Sequence, residues 1–394
     1  MVEVKPFKGI MYNTQDLRTK ITEPYDKITK EMQERYYGMD EYNFIRLNLP
    51  KDKDPYTSSK NTLKQWLDAG ILKKSEKQSF YHYIQRFELN GKVYERNGFF
   101  AVVKLERYES KNILPHERTF SGPKEDRMKM LRSTNVDLEP VFFLYDDPEL
   151  QIMNIFRNSN EQKIAEIIDD NGITHILLSA YSPEIEHFFR DKKLVIADGH
   201  HRYETALAYA EEMNRVNGTG YIMAVLVNRY DPGLIILPSH RIIEASDIKP
   251  DELLQEIKKY FEISEVKRES IKGFINEELI FVFGDQAYSL KLKKEFKNGL
   301  SISEGLNVSI LNKYIISNIL NLESKENIKY ARWPEEVLPL IDEGKAKFAF
   351  LVKPVTPSKV WEVAVKGEIM PQKSTDFYPK LISGLEMFDL RDEV

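Results

Sequence analysis

The stretch Leu194-Val195-Ile196-Ala197-Asp198-Gly199-His200-His201-Arg202-Tyr203-Glu204-Thr205-Ala206-Leu207 decides how the rest of the chain is read. Four apolar residues predict a buried strand, Asp-Gly breaks it, and a helix is expected over residues 200–217, with Gly218 as its stop. A helix N-terminus presents backbone N–H groups and the positive end of the macrodipole, so it favours an anion. Gly199 permits a tight turn and a close approach of backbone to ligand. Arg202 carries a planar fork suited to phosphate, and His200 and His201 add further donors. The alternative is structural: Asp198 as an N-cap, Arg202 paired with a nearby carboxylate, the histidines solvated. Adjacent helical residues point about 100° apart, which disfavours a single zinc ion shared by the two histidines.

Working outward, residues 141–145, 173–178, 221–227 and 234–237 read as further strands. Residues 42–49 alternate like a half-buried strand ended by Pro50. Residues 58–72 predict a helix with Leu63, Trp66, Leu67 and Ile71 on one stripe. Asn90-Gly91 marks a hairpin between strands at 81–89 and 99–105. A helix is expected from Ile164, and a short one opens at Ser182-Pro183. Residues 245–330 turn rich in Lys, Glu and Ile, and 348–352 return to strand. The expected architecture is α+β with a mixed sheet. It comprises a core over 1–245, a smaller appended helical or mixed module over 246–330, and a 331–394 segment returning to the core.

Composition narrows the function. The 394 residues are 42% hydrophobic and carry a net charge of −5, which argues against a dedicated nucleic-acid-binding protein. Cysteine is absent, so disulfides, thiolate metal sites and cysteine nucleophiles are excluded. No apolar h-region follows Met1, and no run approaches the ~18 apolar residues of a membrane span, so a cytoplasmic protein is expected. A homo-oligomer is compatible with this composition. There is no P-loop, no Gly-x-Gly-x-x-Gly, no His-Glu-x-x-His and no Gly-x-Ser-x-Gly.

Other polar clusters carry two readings each. In the block from Pro115 to Arg127, Glu117 or Asp126 is a base or Mg²⁺ ligand, and His116, Lys124 or Arg127 contacts phosphate; the alternative is a solvated charge ladder. Asp26 in Pro24-Tyr25-Asp26 is catalytic or a turn residue. His240-Arg241 follows an apolar strand, where α/β ligand sites collect side chains. Lys373-Ser374-Thr375 touches a phosphate or caps the next element.

Asp198-Gly199-His200-His201-Arg202 after a strand resembles the phosphate-binding turn of the ParB/sulfiredoxin superfamily, especially its free-serine-kinase branch. Nearly the whole chain resembles the DUF1015 family, domain of unknown function 1015. The resemblance runs through Pro6-Phe7-Lys8-Gly9, Pro24-Tyr25-Asp26, Gly98-Phe99-Phe100-Ala101, Pro115-His116-Glu117-Arg118-Thr119 and Leu237-Pro238-Ser239-His240-Arg241. It ends at Met370-Pro371-Gln372-Lys373-Ser374-Thr375-Asp376-Phe377-Tyr378-Pro379-Lys380. The superfamily implies nucleotide phosphate bound where the His200 helix starts. Sulfiredoxin carries a cysteine at the position matching His200, so the absence of cysteine here leaves phosphate handling without redox chemistry.

The resemblance implies an ATP- or ADP-dependent phosphotransferase acting on a small hydroxylated metabolite, with serine suggested by analogy alone. Gly199, His200, His201 and Arg202 would hold the phosphates, Mg²⁺ would bridge them, and Asp198 or Glu117 would orient the metal or the hydroxyl. Two alternatives stand: a nucleotide-binding regulatory switch with no acceptor, and a metal-dependent hydrolase using His116, His200, His201 and His240.

Overall fold

The computed structural model describes residues 1–117, 122–273, 275–322 and 328–394, without the side chains of Gly122 and Pro123. Arg118 and Thr119 lie outside the described residues. The chain forms two units. Residues 1–115, 122–234 and 379–394 make the first; His116 and Glu117 join 235–378 in the second.

The first unit is built on a nine-stranded mixed sheet. Its strands run in the order Ile113–Leu114, Leu194–Asp198, Val141–Tyr145, Tyr221–Asn228, Lys92–Lys104, Phe80–Leu89, Thr174–Ala180 and Gln162–Ile168, with Val4–Lys5 paired to Lys92–Lys104. Leu194–Asp198 is parallel to Ile113–Leu114, and Tyr221–Asn228 to Val141–Tyr145; the other pairs are antiparallel. The long hairpin turns at Asn90 (φ 52°) and Gly91 (φ 74°), the two left-handed residues that a type I′ turn requires. Phe99, Phe143, Tyr145, Phe156, Phe189 and Ile196 fill the core over one sheet face. A second sheet joins Leu72–Lys74, Gly9–Tyr12, Met387–Asp389 and Val136–Asp137. It brings the end of the chain against its beginning.

The second unit contains a six-stranded antiparallel sheet ordered Phe261–Glu265, Gln286–Leu292, Leu279–Phe283, Phe348–Val352, His240–Ile243 and Ile328–Ala331. Its core includes Ile242, Ile280, Val282, Val337 and Leu351. Ile235–Leu237 pairs separately with Asp376–Tyr378. Among the described residues no helix is long and apolar enough to cross a membrane.

The α+β class and mixed sheet match expectation, but four local features differ. The smaller unit is mixed, one of the two readings open for the module, and covers 235–378, because strands at 240–243 and 348–352 sit inside its sheet. Neither the 1–245 boundary nor the 246–330 module holds, and only 379–394 of the expected returning segment rejoins the first unit. Residues 42–49 contain a helical turn, Ile45–Asn48, opened by Asn43 Oδ1 accepting the Ile45 N–H at 2.9 Å. Phe44, Ile45, Leu47 and Asn48 are all buried, so no strand alternation survives.

Gln162–Ile168 is a strand with Ala165 and Ile167 buried and Glu166 and Ile168 exposed, despite its helix-like apolar spacing. The His200 helix stops at Glu212, where Asn214 (φ 53°) and Arg215 (φ 55°) turn left-handed, well before Gly218. Arg215 secures that end through its N–H to Ala210 O (2.8 Å) and its Nη1 to Leu105 O (2.7 Å).

Candidate functional site

The 194–207 stretch folds as a strand, a one-residue turn and a helix: Leu194–Asp198, Gly199 and His200–Glu212. The strand's pairing with Val141–Tyr145 slips between Ile196 and Asp198, which frees the strand end for the turn. Gly199 has φ 93°, and a Cβ there would lie 3.1 Å from the Arg202 guanidinium. The left-handed backbone therefore favours glycine, and the space beside it is tight. Gly199 offers no side-chain cap, so the first-turn N–H groups, which lack intrahelical acceptors, face the turn. Behind them Tyr203 is buried and donates its hydroxyl to Glu106 O at 2.6 Å, fixing the helix start. Gly199→Ala is expected to lower the melting temperature and to remove any anion binding at this turn. Calorimetric melts with and without pyrophosphate check both effects.

Charges converge on this turn. Asp198 Oδ2 accepts from Lys380 Nζ at 2.9 Å. Burial alone would raise the Asp198 pKa; the charges of Lys380, Arg202 and Lys27 outweigh it and hold the carboxyl well below the usual carboxylate range. Arg202 donates from Nη1 to Pro140 O. Burial disfavours its charge, yet Glu139, Asp198 and Asp26 raise its pKa above the ordinary arginine value. Glu139 Oε1 accepts from Tyr25 N (3.0 Å), Asn48 Nδ2 (2.7 Å) and Ser383 Oγ (2.6 Å). The Arg127 guanidinium stacks 4.2 Å over the Tyr25 ring. Burial pushes the Tyr25 phenol up to about 12 against the pull of Arg202 and Arg127.

A narrow cleft of about 40 Å³ lies beside Arg202, lined among others by Arg127, Asp137, Glu139 and Thr205. Asp137 accepts the Met223 N–H at 2.8 Å. Burial nonetheless pushes its carboxyl up to about 7, opposed by that N–H and by Arg202. The raised pKa makes stability fullest below pH 3.8, the ordinary aspartate value, and drains it as pH rises toward 7. Asp137→Asn is expected to flatten that decline, which urea titrations at pH 4 and pH 7 measure.

The sequence-singled residues fall into two groups. The first unit holds Asp26, Lys124, Arg127 and the 198–202 turn. Asp26 is exposed on a 3₁₀ turn and acts on Arg202 through space. Lys124 pairs with Glu204, and Arg127 donates to Asp126 Oδ2 at 2.8 and 2.6 Å, so both cations have carboxylate partners.

The second unit holds His116, Glu117, His240, Arg241, Lys373 and Ser374. Glu117 Oε1 accepts the Lys373 N–H at 3.2 Å, and His116 Nε2 lies 3.1 Å from Thr375 Oγ1. Arg241 is buried and donates to Ser239 O and, at 3.2 Å, to Lys373 O. Ser374 is buried with its hydroxyl on Pro371 O at 2.5 Å. His240 does not present its ring to a ligand as its place after an apolar strand suggested. It is fully buried, accepts the Val352 N–H at 3.1 Å, and burial with the neighbouring Arg241 charge pushes it down to about 3, so it stays neutral.

A family model described as a protein of unknown function, DUF1015, matches residues 4–313. The chain belongs to the DUF1015 family. An ATP-dependent L-serine kinase of Staphylothermus marinus is 32% identical over 192 residues. That match takes in 47% of this DUF1015 chain and 66% of the relative, so the chain spans just under two thirds of the relative's length. Among solved structures, a free serine kinase in complex with AMP is 14% identical, with a TM-score of 0.40 over 75% of this chain and 89% of that one. SbnI of Staphylococcus aureus, truncated at its C-terminus, is 12% identical, with a TM-score of 0.39 over 74% and 87%. Likenesses this loose transfer no site.

Within this DUF1015 chain, Mg²⁺ does not fit at Asp198. The carboxylate already faces Lys380, Arg202 and Lys27, and a divalent cation placed there meets their repulsion. Glu117, the other expected ligand, belongs to the second unit. Among the described residues no group of three or more His, Asp or Glu is arranged to hold a metal ion. Sequence reasoning left Lys27, Asp137, Glu139 and Lys380 out of the site. Lys380 carried a signal, because it closes the last family block; Glu139 carried none beyond preceding Pro140.

Proposed function

We propose that this DUF1015 chain is an ATP- or ADP-dependent phosphotransferase acting on a small hydroxylated metabolite, with a ParB/sulfiredoxin-type turn as its phosphate site. One observation carries the proposal. A left-handed glycine opens a 13-residue helix directly after a carboxylate ringed by Lys380, Arg202 and Lys27. Such a turn suits a polyanion: helix N–H groups and the macrodipole supply fixed partial charge, and Arg202 supplies a fork. Asp198 then orients cations and is no proton acceptor, since its low pKa makes it a poor base. The relative from Staphylothermus marinus supports ATP as donor and a serine-like acceptor.

In the proposed transfer the acceptor oxygen bonds to the terminal phosphorus as the bridging P–O bond breaks, and the hydroxyl proton passes to a carboxylate. Arg202 and the first turn of the helix stabilise the charge on the phosphate oxygens. Of the carboxylates singled out as catalytic or as base, Asp26 and Asp126 belong to the same unit as the turn. Replacing the true base by its amide is expected to lower kcat by about 10²–10⁴-fold with nucleotide affinity unchanged. Incubation with ATP and a pool of hydroxylated metabolites, serine included, followed by mass spectrometry, tests the function. A phosphorylated metabolite supports it; ATP binding or hydrolysis without any phosphorylated metabolite contradicts it and favours the regulatory switch.

A further inference from the structure

We propose that Lys380 is a phosphate ligand of this turn, delivered to it by a buried arginine–glutamine pair on the large sheet. The proposal rests on the nucleotide reading above and adds a residue to it.

Arg96 lies in the strand Lys92–Lys104 and is fully buried. Gln85 sits directly opposite on Phe80–Leu89 and is buried as well. Gln85 Oε1 accepts from Arg96 Nε at 3.0 Å and from Nη2. The same Nη2 donates to Pro379 O at 2.6 Å, and Gln85 Nε2 donates to Lys380 O at 3.0 Å. Two consecutive carbonyls are therefore held from below by one side-chain pair. The Arg96 guanidinium packs 5.1 Å from the centroid of the Phe142 ring. Its hydrogen-bond acceptors are an amide and a carbonyl rather than a carboxylate, and among the described residues Nη1 is buried without a partner.

Burying a guanidinium without a hydrogen-bonded counter-ion is expensive, and burial pulls its pKa down to about 10. Holding two carbonyls requires N–H donors but no full charge, so the arrangement does more than anchor a chain end. It fixes the backbone from which Lys380 reaches the turn. The Lys380 side chain is 10% exposed and ends on Asp198 Oδ2, the residue immediately before Gly199, while the Asp198 side chain is 31% exposed. An ammonium carries three donors. Directed by Asp198, this one stands at the strand end beside Arg202, where the phosphates of a nucleoside di- or triphosphate would enter. Lys380 is thus a binding residue; Arg96 and Gln85 are positioning residues that act through it.

The test is ADP affinity by calorimetry for the full chain and for Lys380→Met, Lys380→Arg and Gln85→Glu, each checked for a cooperative melt. Gln85→Glu keeps an acceptor for Arg96 and removes the N–H donated to Lys380 O. Lys380→Met is expected to weaken ADP by about 10–100-fold, and Lys380→Arg to recover most of that loss because the charge is retained. Gln85→Glu is expected to weaken ADP by about 3–10-fold, the cost of a displaced charged contact. Unchanged affinity in Lys380→Met, or equal losses in the Met and Arg variants, overturns the ligand assignment while the nucleotide reading stands. Unchanged affinity in Gln85→Glu overturns the positioning role. A parent protein that binds no ADP overturns the nucleotide reading, and this inference with it.

Discussion

Arg202→Lys is expected to lose about 10²–10³-fold in kcat/KM for phosphoryl transfer, with little change in melting temperature. The charge that Asp198, Glu139 and Asp26 require is retained by lysine, so the surrounding carboxylates stay compensated. What disappears is the planar fork, which lies against Gly199 and donates to Pro140 O. An ammonium cannot hold that carbonyl and grip two phosphate oxygens in one plane. Steady-state kinetics beside thermal melts separate the two effects. Full activity in a folded Arg202→Lys protein removes the fork from the chemistry. Equal losses of activity and stability make Arg202 a structural residue.

Glu386→Met is expected to stabilise the protein by about 2 kcal/mol at pH 7 and by less at pH 4. Glu386 is 1% exposed, and neither carboxyl oxygen has a hydrogen-bond partner among the described residues. The group lies against Gly9, where an added Cβ would meet Oε2 at 1.9 Å, so the close fit depends on that glycine. Burial raises the carboxyl pKa well above the ordinary value of 4.5. Below pH 4.5 the side chain is protonated in both folded and unfolded chains, and its contribution is at its most favourable. As pH rises, the unfolded chain ionises first and gains, so stability drains until the folded carboxyl also ionises. Methionine removes the ionisation and the unsatisfied oxygens at similar volume. Urea unfolding of both proteins at pH 4 and 7 measures the difference; an equal or reversed difference means that the carboxyl is hydrated or paired in solution.

The strand, turn and helix at 194–212 were legible in the sequence because everything that makes them is local. Within fourteen consecutive residues an apolar run, a glycine and a helix start fix strand, turn and helix without help from elsewhere. The ring of charge around the turn is not local. Lys380 is 182 residues from Asp198, and the Arg96 contact to Pro379 spans 283. No periodicity encodes such pairs. Sheet pairing accounts for the other misses: residues 162–168 carry a helix-like spacing that partnership with Thr174–Ala180 overrides. The module boundary shifted for the same reason, since the strands at 240–243 and 348–352 are neighbours in the sheet yet distant in the chain. His240 shows the converse. A histidine after an apolar strand looked poised for a ligand, but burial makes it a neutral acceptor for a backbone N–H.

The most direct measurement is a crystal structure of the full chain with a nucleoside triphosphate analogue. The prediction is a phosphate group within hydrogen-bond distance of the Gly199–Arg202 backbone and the Arg202 guanidinium, where the His200 helix begins. Phosphates bound elsewhere, with that turn left to its protein contacts, would contradict the account.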